Sequence, residues 1–262
     1  MMLAKQDVRN AKGQASYENK PVEGASFEDL DSDLVREYAH RIGSGLPLPE
    51  TLAGRNLMVY RKDHLIPTIA CVLLFAKRPQ NFVSRCGIDF LRFEGTEMLT
   101  GRDFNVIKRE IIEKPLPRLI DRAIDVVGLH IKERRRLTPH GIFETVPEYP
   151  PFAWQEAIIN AVAHRDYSIT GRSIQIRMFD DRLEIDSPGK LPGPVRLDNL
   201  ARERFSRNPQ IVRALIEFGY MRDVGEGIDR MIKEMERHNG CPPEFAEPNY
   251  SFVVTLRRGP GS

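Results

Sequence analysis

The chain has 262 residues, 41% hydrophobic and 29% charged, with a formal net charge of +2. That length allows one large domain or two small ones with an ample core, and the near balance of charge excludes a general polyanion binder. Cys71, Cys86 and Cys241 are odd in number and lack paired metal-ligand spacing, and the longest apolar run, Ile69 to Ala76, is too short to span a bilayer, so a cytoplasmic protein with reduced, mostly buried thiols and no membrane association is expected.

Residues 1–29 carry scattered charges and few large apolar side chains, which predicts a poorly ordered arm. Asp31-Ser32 can cap a helix running to about Ile42, where Gly43-Ser44-Gly45 interrupts the chain. Pro67-Thr68 opens an apolar helix, Ile69–Ala76, and Cys86–Phe93 alternates as a strand. Asp103 to Ile112 and Leu116 to Arg135 read as helices. The run Lys132-Glu133-Arg134-Arg135-Arg136 is then a solvated, charged helix end, with phosphate binding as the less favoured alternative. Pro147 to Pro151 breaks the chain before a helix over Trp154–Asp166. Ser173–Phe179 and Arg182–Asp186 form a hairpin about Asp180-Asp181, and a long polar stretch follows to Arg207. Helices Pro209–Phe218 and Ile228–Arg237 and a strand Tyr250–Leu256 complete the body. Arg258 to Ser262 reads as a flexible end or a cloning remnant.

The helix over Trp154–Asp166 carries the most functional information. At about 100° per residue, Glu156, Asn160 and His164 make one polar stripe among positions that otherwise read as core. Burying an amide and a carboxylate without partners costs on the order of 1–3 kcal/mol or more each, so a ligand, a metal ion or a fixed hydrogen-bond network must satisfy them. Gly225-Glu226-Gly227 opens the next-to-last element and is either a plain helix start or a phosphate cradle. Asn160 can hold magnesium through its amide oxygen, and Asp186 can accept an adenine amino hydrogen. No G-x-x-x-x-G-K-[ST] loop occurs, which excludes a helicase motor.

The order Pro67-Thr68, Leu73-Leu74-Phe75, Glu156 to Ser168, Phe179 to Ile185, Ser187-Pro188-Gly189, Ser206-Arg207-Asn208-Pro209 and Gly225 to Ile228 resembles the RecG-related ATP-binding proteins, within the GHKL fold of gyrase and the histidine kinases. The resemblance spans roughly residues 25–257. It implies an α+β architecture, a GHKL-like α/β sandwich whose mixed, mainly antiparallel sheet has helices on one face, preceded by an irregular arm. The expected divisions are an arm and short helix at 1–45, an α/β segment at 46–140 packed on the main unit, a nucleotide-binding domain at 141–258, and a tail at 259–262.

Carried over by motif, Asn160 would bind Mg2+, Glu156 would polarise the attacking water, Asp186 would read adenine with Gly189 letting the backbone approach, and Gly225 and Gly227 would cradle phosphates. Leu191–Arg207 would be a mobile lid. Arg207 and Asn208 would close over phosphate or simply form a capped, solvated helix start. His164 would touch ligand or, with Arg165 and Asp166, form a structural network. The expected function is magnesium-dependent ATP binding, with hydrolysis as a further step, in the regulatory module of a transcriptional regulator or DNA-transaction protein. DNA would be met through domains absent from this chain, and homo-oligomers are a further expectation. The alternative is an inactive GHKL-shaped scaffold for oligomerisation or partner binding. One departure stands out: the superfamily motif Asp-x-Gly-x-Gly is replaced by Asp186-Ser187-Pro188-Gly189-Lys190.

Overall fold

A computed structural model describes residues 16–259 except 204, 223 and 224. The arm expected over 1–29 therefore falls outside the described residues up to 15. From Ser16 onward it is built into the body, with 3-10 turns at Tyr17–Asn19 and Phe27–Asp29 and with Tyr17, Val22, Ala25, Phe27 and Leu30 in or against the core. Backbone bonds from Val22 N to Pro67 O and from Ile69 N to Lys20 O, both 2.9 Å, fasten it there.

Helix α1, Ser32–Arg41, starts as expected: the Asp31 carboxylate accepts from the amides of Asp33 and Leu34. After α2, Leu48–Gly54, a hairpin of β1, Met58–Arg61, and β2, His64–Pro67, leads into α3, Ile69–Phe75. Every residue of α3 is buried, and Thr68 Oγ1 caps it by accepting from Cys71 N. An all-apolar helix of this length belongs at the centre of a core.

Then come β3, Ile88–Phe93; β4, Val106–Ile112; α4, Leu116–Gly128; β5, Glu133–Leu137; β6, Phe143–Pro147; α5, Pro151–Ala163; β7, Ile174–Met178; and β8, Arg182–Pro188. Helix α6, Pro209–Phe218, helix α7, Gly227–Asn239, and strands β9, Glu244–Ala246, and β10, Ser251–Arg257, complete the chain. The main sheet runs β4-β3-β7-β8-β10-β9, and only the β3–β7 pair is parallel. This is the mixed, mainly antiparallel sheet and α+β class that the resemblance implied. Ile174, Ile176, Met178, Leu183, Ile185, Val254 and Leu256 turn one face of it into the helical core. Among the described residues no helix is long and apolar enough to cross a membrane.

Two expected helices are corrected. Asp103 to Ile112 is mostly the edge strand β4. Four of its seven residues are β-branched, and pairing with β3 leaves Ile107 and Ile111 exposed on the sheet instead of against a neighbour. The helix from Leu116 ends at Gly128, and the basic run continues as β5 of a separate two-stranded ribbon with β6. Lys132 to Arg136 is not a helix end. The ribbon is anchored at its base, where Glu148 N donates to Lys132 O at 2.8 Å and Asn239 Nδ2 donates to Glu148 O at 3.0 Å.

Candidate functional site

Pro150 and Pro151 preset the start of α5, and one face of it, Trp154, Ile158 and Val162, is buried in the core. The opposite stripe, Phe152, Glu156, Asn160 and His164, lines a cavity of about 540 Å³. Its floor is the end of the sheet, with Ile185 and Ser187 of β8 beside Phe252 and Val254 of β10. The walls are the segment from Gly189 to Ser206, the inner side of α6 and the start of α7. Small residues on α5, Ala157 and Ala161, leave the space open.

Glu156 and Asn160 form a fixed pair, Asn160 Nδ2 donating to Glu156 Oε1 at 2.8 Å. This commits the amide nitrogen and leaves the amide oxygen for the cavity. The pair abuts α7 closely: a Cβ at Gly227 would lie 1.9 Å from Glu156 Oε1. Glycine there is a requirement of this packing. Burial pushes the Glu156 carboxyl above the usual carboxylate range, against the opposing pull of the Asn160 bond and the Arg230 charge. Gly225, in the left-handed region at φ 66°, and Gly227 both line the cavity at the amino end of α7.

His164 ends α5 at the far end of the stripe, lining the cavity with its Nδ1 buried and without a partner. Burial first, then the Arg207 charge, pushes its imidazole down to about 4, so the ring is neutral near pH 7. Its neighbours are structural. Arg165 is fully buried, and its guanidinium donates to the carbonyls of Asp166, Arg85, Ile169 and Arg172. The Asp166 carboxylate binds Arg207 at 2.5 Å and Ser168 Oγ at 2.5 Å. Gly189, at φ 114°, lets β8 pass this knot, since a Cβ would fall 2.6 Å from that of Asp166.

Three expected site residues are not brought into the cavity. Strand alternation puts Asp186 on the outer face of the sheet, where its Oδ2 accepts from Arg172 at 2.6 Å and from Arg177 at 3.3 Å. Arg207 faces Asp166 and donates to Lys190 O at 2.8 Å. Asn208 is buried, not solvated, and its Nδ2 donates to Ala163 O and Arg165 O at 3.0 and 2.8 Å, tying α6 to the end of α5. The residue that faces the cavity in place of Asp186 is Ser187. Its signal was present in the sequence: with Leu183 and Ile185 inward, a period of two puts Ser187 inward as well.

A second carboxylate was not legible at all. Glu18, fully buried, accepts from Gln210 N at 2.8 Å and Ile211 N at 3.1 Å and so caps α6, whose own N-cap Asn208 makes no side-chain bond there. Burial pushes its carboxyl up to about 7 despite these two donors.

The stretch from β7 to β10 carries a likeness to a known family. Residues 171–256 match the family described as "Putative ATP-dependent DNA helicase recG C-terminal". The match to this RecG C-terminal domain takes in β7, β8, α6, α7 and nearly all of β10, and it begins after α5, so Glu156 and Asn160 lie outside it. ATP binding is the family-level expectation for such a domain. The crystal structure of the DIP2311 protein from Corynebacterium diphtheriae is similar to the chain as a whole, with a TM-score of 0.74 and 22% identity over 98% of this chain and 50% of that one. The likeness is one of fold, and the chain spans about half the length of that protein. A search of curated proteins gave no match.

Proposed function

We propose that this chain binds ATP with magnesium in the cavity between α5, β8 and α7, as the regulatory module of a transcriptional regulator or DNA-transaction protein whose DNA contacts lie in other domains. The observation that carries this reading is the Glu156–Asn160 pair set against the glycine-opened start of α7. Amide groups at a helix amino end suit phosphate oxygens, and an oxygen donor beside them suits the cation that accompanies phosphate.

Among the described residues no group of three or more His, Cys, Asp or Glu could hold a metal by itself. The residues present fit magnesium as Asn160 Oδ1 anchoring an ion carried mainly by phosphate oxygens, where it would neutralise phosphate charge. Glu156 would orient and deprotonate the attacking water, and its raised affinity for a proton favours that role. The segment Leu191–Arg207, carrying Val195, Leu200 and Phe205 into the cavity, would close over the ligand and exclude solvent.

Calorimetric titration with ATP, with and without magnesium, beside Asn160→Ala tests the reading. Magnesium-dependent binding lost in the variant is the expected result, and no heat with any nucleotide would refute it. Glu156→Ala should abolish turnover and keep binding. A second reading, an inactive scaffold for oligomerisation or partner binding, is favoured by the outward Asp186 and by the internal commitments of Arg207 and Asn208.

A further inference from the structure

Resting on the nucleotide reading above, we propose that this cavity does not select adenine: Ser187 and His164 form a neutral base-reading end that takes purine nucleoside triphosphates with little regard to the group at C6. The direction of the ligand follows from α5. Glu156 and Asn160 stand against the amino end of α7, where phosphates belong, and His164 lies two turns beyond Glu156 and one beyond Asn160, about 12 and 6 Å along the axis at 1.5 Å per residue. The base therefore falls between His164 and the end of β8.

Among the described residues, β8 and the end of α5 bring no carboxylate into the cavity. Asp186 is on the other face of the sheet, held by Arg172 and Arg177. Ser187 takes the inward place, lines the cavity and donates its hydroxyl hydrogen to Ala161 O at 2.8 Å, which leaves its oxygen able to accept. His164 lines the same cavity, and its Nδ1 is buried without a partner. Of the cavity carboxylates, Glu156 is bound to Asn160, Glu226 sits at the amino end of α7, and Glu203 is exposed on the loop.

A carboxylate can only accept, so it favours a 6-amino group and repels a 6-oxo group. With its hydrogen on Ala161 O the Ser187 hydroxyl accepts from a 6-amino group, turned away from that carbonyl it donates to a 6-oxo group, and a neutral imidazole presents a donor or an acceptor according to its tautomer. Such an end accommodates either substituent, and discrimination falls accordingly, because a strong preference requires a fixed polar partner left unpaired by the wrong ligand.

The test is calorimetric titration of the whole chain with ATP, GTP and ITP, each with magnesium, repeated on Ser187→Asp. For the natural chain the three dissociation constants should agree within about fivefold. ATP binding more than about thirtyfold tighter than GTP would overturn the proposal. Failure of all three nucleotides to bind would instead overturn the nucleotide reading beneath it, and the proposal with it. In Ser187→Asp, checked for folding by thermal unfolding, a charge-assisted bond to the 6-amino group should move the ATP-to-GTP ratio about tenfold or more toward ATP. An unmoved ratio in the folded variant would refute the placement of the base. Should that variant not fold, the ratio in the natural chain still decides.

Discussion

In Gly227→Ala the new methyl would arrive 1.9 Å from Glu156 Oε1 and 2.7 Å from its carboxyl carbon. The obstruction is the far end of a flexible side chain, and Gly227 is the first residue of α7, outside the left-handed region. The backbone therefore accepts alanine, and Glu156 must swing away. Two effects then oppose each other. Losing the Asn160–Glu156 bond costs about 0.5–1.5 kcal/mol, and alanine in a helix gains up to about 1 kcal/mol over glycine. Net stability should change by less than about 1 kcal/mol, a Tm shift of about 2–4 °C or less for a chain of this size. Nucleotide affinity should nevertheless fall about tenfold or more, because the displaced carboxylate enters the cavity where phosphate oxygens would lie. Thermal unfolding and calorimetry on the same samples read both quantities. Gly227→Ala combined with Glu156→Ala completes the cycle, and in that background alanine at 227 should be neutral or stabilising. Collapse of the single variant, or unchanged affinity in it, would refute this account of the pair.

Other outcomes follow from the buried charges. Because the Glu18 carboxyl is raised from 4.5 to about 7, the folded state holds its proton more tightly than the unfolded state, and stability should fall by up to roughly 3 kcal/mol as pH rises through that window. Glu18→Gln should remove that decline in urea titrations at pH 5 and 8, and an equal slope in both proteins would sink the assignment. His164 acts in the opposite sense: lowered from 6.5 to about 4, it adds stability as pH rises between those values. His164→Gln should therefore unmask a steeper decline between pH 4.5 and 6.5, and an unchanged pH profile would count against its burial. Arg165→Lys cannot reach four carbonyls at once and should destabilise the fold by about 2–4 kcal/mol, whereas a variant of full stability would show that the guanidinium geometry is dispensable.

What was legible in the sequence was periodic or local. The Asp31 cap, the helix from Pro209 to Phe218 with Gly219 ending it at φ 90°, and the stripe of Glu156, Asn160 and His164 all follow from spacing or from a residue's own conformational preference. The stretch Val106 to Ile112 misled because its apolar residues suit either period, and only a vacant place beside β3 decides for a strand. The outward turn of Asp186 was available from alternation alone but ran against a motif that sets an aspartate at the ligand. Arg207 and Asn208 belong to a knot whose other members, Asp166, Ala163 and Arg165, become neighbours only when α5 and α6 pack, so no short window of sequence contains it.

The cap on α6 has a consequence for how the site comes into being. Glu18 and Ser16 meet Gln210, Ile211 and Arg207 across about 190 positions of chain, so the earlier segment waits for one made about 190 residues later. Helix α6 cannot satisfy its first amides from its own neighbourhood, and the wall that it gives the cavity is complete only after that long loop has closed. Assembly of the cavity is thereby tied to a contact of very long sequence separation, and a chain in which that contact is open holds no finished cavity.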